Sequence, residues 1–366
     1  METIDFNFTN CHHGGIYSAK NSKSVKIDFS SNINPLGTSK KVIKTLIKNI
    51  NLSSIYPDPN CIELKKDILK YLNCEVNDID NLIIGNGATE LIHYFSSTFV
   101  KNKAIIPSPT FCEYELAAKR SDAKISFIKI KNDFHIDPDA IVKDSNNPEN
   151  NATTIFLCNP NNPTGIDSKK EVEEILEKAN NNITILLDES YVEFTNDDVK
   201  RNNYFLNFIK DYKNIVILRS MTKSFGLAGL RIGYAISNKT IMEKMKNKII
   251  AWNVNGLAQI AASEALKDKS HLKSAKKMIQ SEKKKITNNL NKNSKMNLIN
   301  TDVNFYLIEI LNEWNSTKVK DRLLNKNNIL VRDCKTFTGM NNRFIRVSIK
   351  TPKENSKLFK ALERTL

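Results

Sequence analysis

The chain has 366 residues, enough for one large domain and one smaller one, and its 40% apolar content permits a proper core. No apolar run reaches the roughly 18 residues of a membrane span, and the polar start Met1-Glu2-Thr3-Ile4-Asp5 lacks the regions of a secretion signal, so a cytoplasmic location is expected. The formal net charge of +15 raises nucleic acid as a partner, yet the lysines are spread thinly and no nucleic-acid-binding motif is present. Anionic substrates and a compositional bias account for the charge, and neither nucleic acid nor membrane is expected as a partner. Six cysteines (Cys11, Cys61, Cys74, Cys112, Cys158, Cys334) are scattered without C-x-x-C spacing. They read as free thiols in a reducing compartment, and no metal site is expected.

Residues 1–38 read as an irregular arm with two clusters, His12-His13-Gly14-Gly15 and the turn-rich run from Asp28 to Gly37. Ser39 can cap a helix reaching about residue 49, with Val42, Ile43, Leu46 and Ile47 at helical spacing. Tyr56-Pro57-Asp58-Pro59 is a rigid loop, and a helix follows over 61–72. Short apolar strands are then expected at 82–84, 104–106, 125–130, 154–157, 183–187, 215–218 and 232–236. Helices alternate with them from about 89, over 111–118 and over 169–180. Pro107 is expected to end its strand, and the Asn-rich 144–151 reads as a plain loop.

After about residue 240 the character changes. A long helical region over 241–292 carries Lys276-Lys277 and Lys283-Lys284-Lys285, read as a solvated face. Strands at 304–308, 329–332 and 344–349, a helix over 316–326 and a helical tail from 353 complete the chain. The expected fold class is α/β. A three-layer α/β/α large domain with a mostly parallel sheet occupies 39–250. A smaller α+β domain occupies 251–366, with the arm of 1–38 packed against it. In such sheets ligands bind beyond the carboxyl ends of the strands, where every polar motif of this chain falls.

The chemistry centres on Lys223, in Ser220-Met221-Thr222-Lys223, which follows an apolar strand. A lysine on a tight turn after a buried strand is partly desolvated, which lowers its pKa and makes it a usable amine nucleophile. A site for pyridoxal 5'-phosphate also needs an acid for the pyridine nitrogen, a contact on the phenolic oxygen, a ring stacker and a phosphate cradle. Asp188 ends an apolar strand and suits the nitrogen, or alternatively caps a helix. Asn162 and Tyr191 can each reach the phenolic oxygen. Phe111 can stack on the ring or be plain core. Gly87-Ala88-Thr89 at a helix N-terminus presents N–H groups to an anion, and Thr222 and Arg231 can complete the cup.

Taken in order, Tyr56-Pro57-Asp58, Gly87 to Glu90, Pro109-Thr110-Phe111, Asn159 to Gly165, Asp188 to Tyr191 and Ser220 to Arg231 resemble the fold type I, aspartate-aminotransferase-like family of pyridoxal-phosphate enzymes. The resemblance implies Lys223 as the Schiff-base lysine and Asp188 on the pyridine nitrogen. It implies Asn162 and Tyr191 at the phenolic oxygen, Phe111 stacking, and Ala88, Thr89, Ser220, Thr222 and Arg231 around the phosphate. It also implies a homodimer in which Tyr56 reaches the partner's cofactor. Histidinol-phosphate aminotransferases share most of these motifs. The early His13-Gly14-Gly15, the Asp28 to Gly37 run, and Leu330 to Cys334 with Phe344 to Val347 are similar to the threonine-phosphate decarboxylases of cobalamin biosynthesis. That likeness implies O-phospho-L-threonine as substrate and His13, Gly14, Asn32, Asn162, Arg332 and Arg346 as its contacts. The paired His12-His13 leaves open which histidine sits in the site. A catalytically inert protein of the same fold, or a nucleic-acid binder, is the reading from another class.

Overall fold

The computed structural model describes residues 12–19, 22–195, 203–290 and 294–366; the N-terminal stretch and Cys11, on which the expectations about secretion and one thiol rest, lie outside them. A two-residue strand in the arm, β1 (Ile27–Asp28), comes first. Seven strands follow: β2 (Leu82–Gly85), β3 (Lys103–Ser108), β4 (Lys124–Lys129), β5 (Ala152–Cys158), β6 (Thr184–Asp188), β7 (Ile215–Ser220) and β8 (Gly233–Ile236). They form one sheet in the order β2-β8-β7-β6-β5-β3-β4. All neighbours pair in parallel except β8, which runs against both β7 and β2.

The strands read as continuous apolar runs because both faces are covered. Alternate residues point to opposite faces. Ile185 and Leu187 join one core with Ile68, Val172 and Ala262, while Leu186 joins another with Leu91, Phe95, Tyr114 and Met242. The helices Lys40–Lys48, Ile62–Leu72, Lys169–Lys178 and Gly256–Lys267 thus cover one face, and Ala88–Phe99, Glu113–Arg120 and Lys239–Lys246 the other. This is the expected three-layer α/β/α arrangement. Each fully buried Leu or Ile contributes roughly 1.5–3 kcal/mol.

The remaining strands are β9 (Met296–Leu298), β10 (Phe305–Ile310), β11 (Ile329–Leu330), β12 (Arg332–Asp333) and β13 (Phe344–Ser348). A small antiparallel sheet takes the order β12-β13-β10-β9, and β11 pairs in parallel with β1 of the arm. The arm is therefore stitched to the smaller unit, and Ser348 N–H also donates to the Phe29 carbonyl at 2.8 Å.

Several local expectations are corrected. Pro107 lies inside β3, facing Ile128 of β4, because pairing with β5 has already stopped at Ile105 and the missing N–H costs no ladder bond there. The expected strand 329–332 is two strands in two sheets, β11 and β12. The expected single helical region is, among the described residues, three helices, Lys239–Lys246, Gly256–Lys267 and Lys269–Leu290, with Trp252 at φ 59° between the first two. Val254, Ala258, Ala261, Ala262, Ala265 and Leu266 pack in one core with Val42 and Leu64. Asp144 to Asn146 end a helix, Pro138–Asn146, capped by Asp137. Lys283 is not on a solvated face: burial lowers its pKa, and its amine donates to the Thr301 carbonyl. No helix among the described residues is long and apolar enough to cross a membrane.

Candidate active site

The carboxyl ends of β5, β6 and β7 open into a cavity of about 490 Å³. Its floor begins with Lys223, in the one-turn helix Met221–Ser224 that follows β7. Ser220 caps that turn; its Oγ lies 2.7 Å from Thr222 Oγ1. The turn is clamped by the arm: Asn34 N–H donates to the Lys223 carbonyl at 2.9 Å and Asn34 Nδ2 to the Ser224 carbonyl at 2.8 Å. Gly226 makes the approach possible. It sits at φ 70°, and a Cβ there would meet the Gly37 carbonyl oxygen at 2.5 Å. Burial pulls the Lys223 amine down to about 8, with the Arg346 and Arg231 guanidinium groups adding to the effect and Asp188 opposing it. The lysine thus carries a substantial free-base fraction near neutral pH.

Asp188, at the end of β6, is 3% exposed. Burial raises its pKa, and hydrogen bonds from Ser190 N–H to Oδ1 and from the Tyr114 hydroxyl to Oδ2, at 2.8 and 2.7 Å, oppose that. Asp188 is therefore a braced acceptor, whereas the helix-cap alternative has no support here, since only a short turn follows. Beside it, Arg219 donates to Glu189 Oε2 from Nε and Nη2 at 3.0 and 2.8 Å. Burial lifts the Glu189 carboxyl and the Arg219 guanidinium opposes it, so this pair anchors the strand ends.

At one end of the cavity the helix Ala88–Phe99 presents its N-terminus. Gly87, at φ 82°, is required: a Cβ there would lie 2.5 Å from Arg231 Nη2. Ala88, Thr89, Ser220, Thr222 and Arg231 all line this end. The combination of N–H groups, hydroxyls and a guanidinium is an anion cradle.

The opposite wall comes from the arm and the small sheet. Arg332 and Arg346 face each other across β12 and β13 and are 7% and 5% exposed. Burial pulls Arg332 down to about 10, with the Arg346 guanidinium adding to it, so it stays charged at neutral pH. Its Nη2 donates to the His12 carbonyl at 2.5 Å and to Thr336 Oγ1 at 2.8 Å. Arg346 donates to Asn162 Oδ1 and, at 2.8 Å, to the Ser30 carbonyl. Its Nε is buried without a hydrogen-bond partner among the described residues, as is Asn32 Oδ1. Asn32 Nδ2 donates to the Tyr191 hydroxyl at 3.3 Å. His13 lies over Phe111, ring centroids 5.8 Å apart.

Of the residues singled out from the sequence, the cavity gathers Lys223, Asp188, Ala88, Thr89, Phe111, Asn162, Tyr191, Ser220, Thr222 and Arg231, together with His13, Gly14, Asn32, Arg332 and Arg346. Tyr56 is not among them. It is 80% exposed and rests on Trp252, ring centroids 4.9 Å apart. Sequence reasoning missed Glu113, Tyr114 and Cys158, which also line the cavity. Tyr114 was findable as the residue one helical turn after Phe111; nothing local tied it to Asp188. Cys61, Cys74, Cys158 and Cys334 are free thiols as expected. Cys112 is instead disulfide-bonded, a pairing set by proximity in the fold and invisible in sequence spacing.

A depressed amine opposite a braced carboxylate, with an anion cradle beside them, fits pyridoxal 5'-phosphate and defines a pyridoxal-phosphate enzyme of the aspartate-aminotransferase-like fold. The chain belongs to the aminotransferase class I and II family, whose model matches residues 24–362. It is 34% identical over 336 residues, 91% of this chain and 88% of the relative, to a Caldanaerobacter subterraneus protein provisionally named a threonine-phosphate decarboxylase. Among solved structures it is similar to the histidinol-phosphate aminotransferase of Clostridium acetobutylicum, at TM-score 0.83 and 34% identity over 92% of this chain and 98% of that one. It is likewise similar to the L-threonine-O-3-phosphate decarboxylase of Porphyromonas gingivalis, at TM-score 0.80 and 27% identity over the same shares of 92% and 98%.

Proposed function

We propose that this pyridoxal-phosphate enzyme decarboxylates O-phospho-L-threonine to (R)-1-amino-2-propanol O-2-phosphate and carbon dioxide, a step of cobalamin biosynthesis. The observation that carries the reading is the facing pair Arg332 and Arg346, buried together in the cavity wall. Two desolvated guanidinium groups side by side repel each other unless anions neutralise them. They suit a substrate with both a carboxylate and a phosphate, and guanidinium forks pair with either bidentately. The unpartnered Arg346 Nε and Asn32 Oδ1 fit the same reading, because a bound amino acid offers them an anion and a donor.

Bound pyridoxal phosphate supplies an electron sink for a bond broken at the substrate Cα. Lys223 would hold it, Asp188 would keep its ring nitrogen protonated, and Phe111 would cover the ring. Asn162 and Tyr191 would meet its phenolic oxygen, and Ala88, Thr89, Ser220, Thr222 and Arg231 would hold its phosphate. His13, Gly14, Asn32, Asn162, Arg332 and Arg346 take the substrate. Where the arginines hold the carboxylate decides whether it or the Cα hydrogen is lost. The Lys223 amine, with its lowered proton affinity, can return a proton to Cα. The exposed Tyr56 and Trp252 pair, with Ile250 71% exposed nearby in sequence, fits a homodimer in which Tyr56 reaches the partner's cofactor. The expected location remains cytoplasmic.

The second reading is an aminotransferase acting on histidinol phosphate or a related phosphorylated amine. The similarity to the Clostridium acetobutylicum structure, higher than to the decarboxylase structure, favours it. Parallel incubations separate the two. Turnover of O-phospho-L-threonine without 2-oxoglutarate supports the decarboxylase; turnover of histidinol phosphate strictly dependent on 2-oxoglutarate refutes it.

A further inference from the structure

His13 reaches the cavity from the arm, which pairs with β11 and also clamps the Lys223 turn through Asn34. Hydrogen bonds fix this stretch. Arg332 takes the His12 carbonyl, Gly15 N–H donates to Ser30 Oγ at 2.7 Å, and His13 Nε2 meets Glu113 Oε1 at 2.8 Å. Of these, only the last crosses to an element of the large sheet, the helix Glu113–Arg120 that follows Phe111. Glu113 is 5% exposed and lines the same cavity as both arginines.

A buried carboxylate in the wall of an anion site is unfavourable, since it repels the ligand and costs desolvation. Here both oxygens are capped. His13 Nε2 lies at Oε1, and His93 Nε2, from the helix that carries the anion cradle, lies 3.3 Å from Oε2. Burial alone would raise the Glu113 carboxyl, but these two hydrogen bonds outweigh it and hold it at about 2. An ionised carboxylate only accepts, so Nε2 is the nitrogen of His13 that carries a proton toward it. Gly14, next in chain, has no room for a side chain: a Cβ would lie 2.4 Å from the Ser30 carbonyl oxygen. The backbone after His13 is thus fixed, and the Glu113 bond fixes its ring.

We propose that Glu113 is a positioning residue for substrate: it locks His13, not His12, into the cavity wall beside Phe111, and the lock simultaneously masks a negative charge that would otherwise repel an anionic substrate. This rests on the reading that the substrate is anionic. His12 also lines the cavity, but it bonds Arg332 through its backbone carbonyl, whereas His13 bonds Glu113 through its ring, which favours His13 as the positioned side chain.

The test is a double-mutant cycle on the holoenzyme with His13→Ala, Glu113→Gln and both together. Retained cofactor absorbance serves as the check on folding. Glu113→Gln raises KM for O-phospho-L-threonine about tenfold, the usual scale for a hydrogen bond to a charged group, with kcat changed far less. His13→Ala raises KM at least as much, because it also leaves the carboxylate uncapped on that side. The double variant is no worse than His13→Ala alone. Glu113→Asp, which keeps the charge but is one methylene too short, reproduces the rise in KM. Multiplicative effects in the double variant, or an unchanged KM in both Glu113 variants, would overturn the proposal. Dissociation constants for inorganic phosphate, read by titration from the cofactor absorbance, must follow the same pattern, and a constant that does not move overturns it equally. Because that readout needs no turnover, it remains valid if the enzyme proves inactive on O-phospho-L-threonine, which would refute only the decarboxylase reading.

Discussion

The floor and the far wall of the cavity are built by different means. On the floor, Asp188 and Lys223 sit at or just beyond the ends of adjacent parallel strands, β6 and β7, and their spacing is set by the sheet itself. The far wall joins elements from opposite ends of the chain: Arg346 bonds the Ser30 carbonyl across 316 positions, and Arg332 bonds the His12 carbonyl across 320. The floor is rigid because strands are rigid. The wall is rigid only while the arm and the small sheet hold each other. The difference suggests a division of labour, with the floor fixing the cofactor and the wall choosing the substrate and hence the bond that breaks.

Substitutions that separate the two regions test that division. The largest effect is expected on the floor. Lys223→Ala lowers kcat/KM by more than about a thousandfold and abolishes the cofactor's lysine-bound absorbance, since a covalent catalyst is lost. On the wall, Arg346→Met lowers kcat/KM for the phosphorylated substrate by about a hundredfold, the scale of truncating one member of a buried charged contact. Its cofactor affinity, measured by titration, stays near the parent's; a large loss there would erase the distinction between floor and wall.

Tyr114→Phe removes one of the hydrogen bonds that brace Asp188. It costs about 1–3 kcal/mol in denaturant unfolding of the holoenzyme, because a buried acceptor loses its donor. It also shifts the cofactor spectrum, since the Asp188 carboxyl, already raised by burial, rises further.

The smallest expected effect is a displaced pH profile. Burial places the Lys223 amine at about 8 instead of 10.5. A lysine lowered in the folded state sheds its proton earlier there than in the unfolded chain, so the folded apoprotein gains stability as pH rises from about 8 to 10.5. Capture of pyridoxal phosphate by the apoprotein, followed by stopped-flow absorbance, accelerates up to about pH 8 and then levels. A profile still climbing at pH 10 would show that the turn does not desolvate its lysine.

The same contrast explains what the sequence reveals. Lys223, Asp188 and Gly87 lie in short local patterns, an apolar strand followed by polar or glycine turns, and such patterns report directly on strand ends. Arg332 and Arg346 are legible only through resemblance, because nothing local says that two strand arginines face each other. Glu113 and Tyr114 are silent. One reads as an ordinary acid in a helix's first turn and the other as core, and their partners, His13 and Asp188, lie 100 and 74 positions away. The misplaced elements share a cause as well. Pro107 looks like a strand end because the sequence does not show that β5 has already left it, and 329–332 looks like one strand because pairing with the arm on one side and β13 on the other is a tertiary fact.

The most direct test uses O-phospho-L-threonine labelled with ¹³C in its carboxyl group, incubated with holoenzyme in the absence of any 2-oxo acid. The account predicts labelled carbon dioxide released one-for-one with unlabelled 1-amino-2-propanol phosphate, and loss of both in Arg346→Met. Label retained in an amino- or oxo-acid product, or turnover only after 2-oxoglutarate is added, would contradict it.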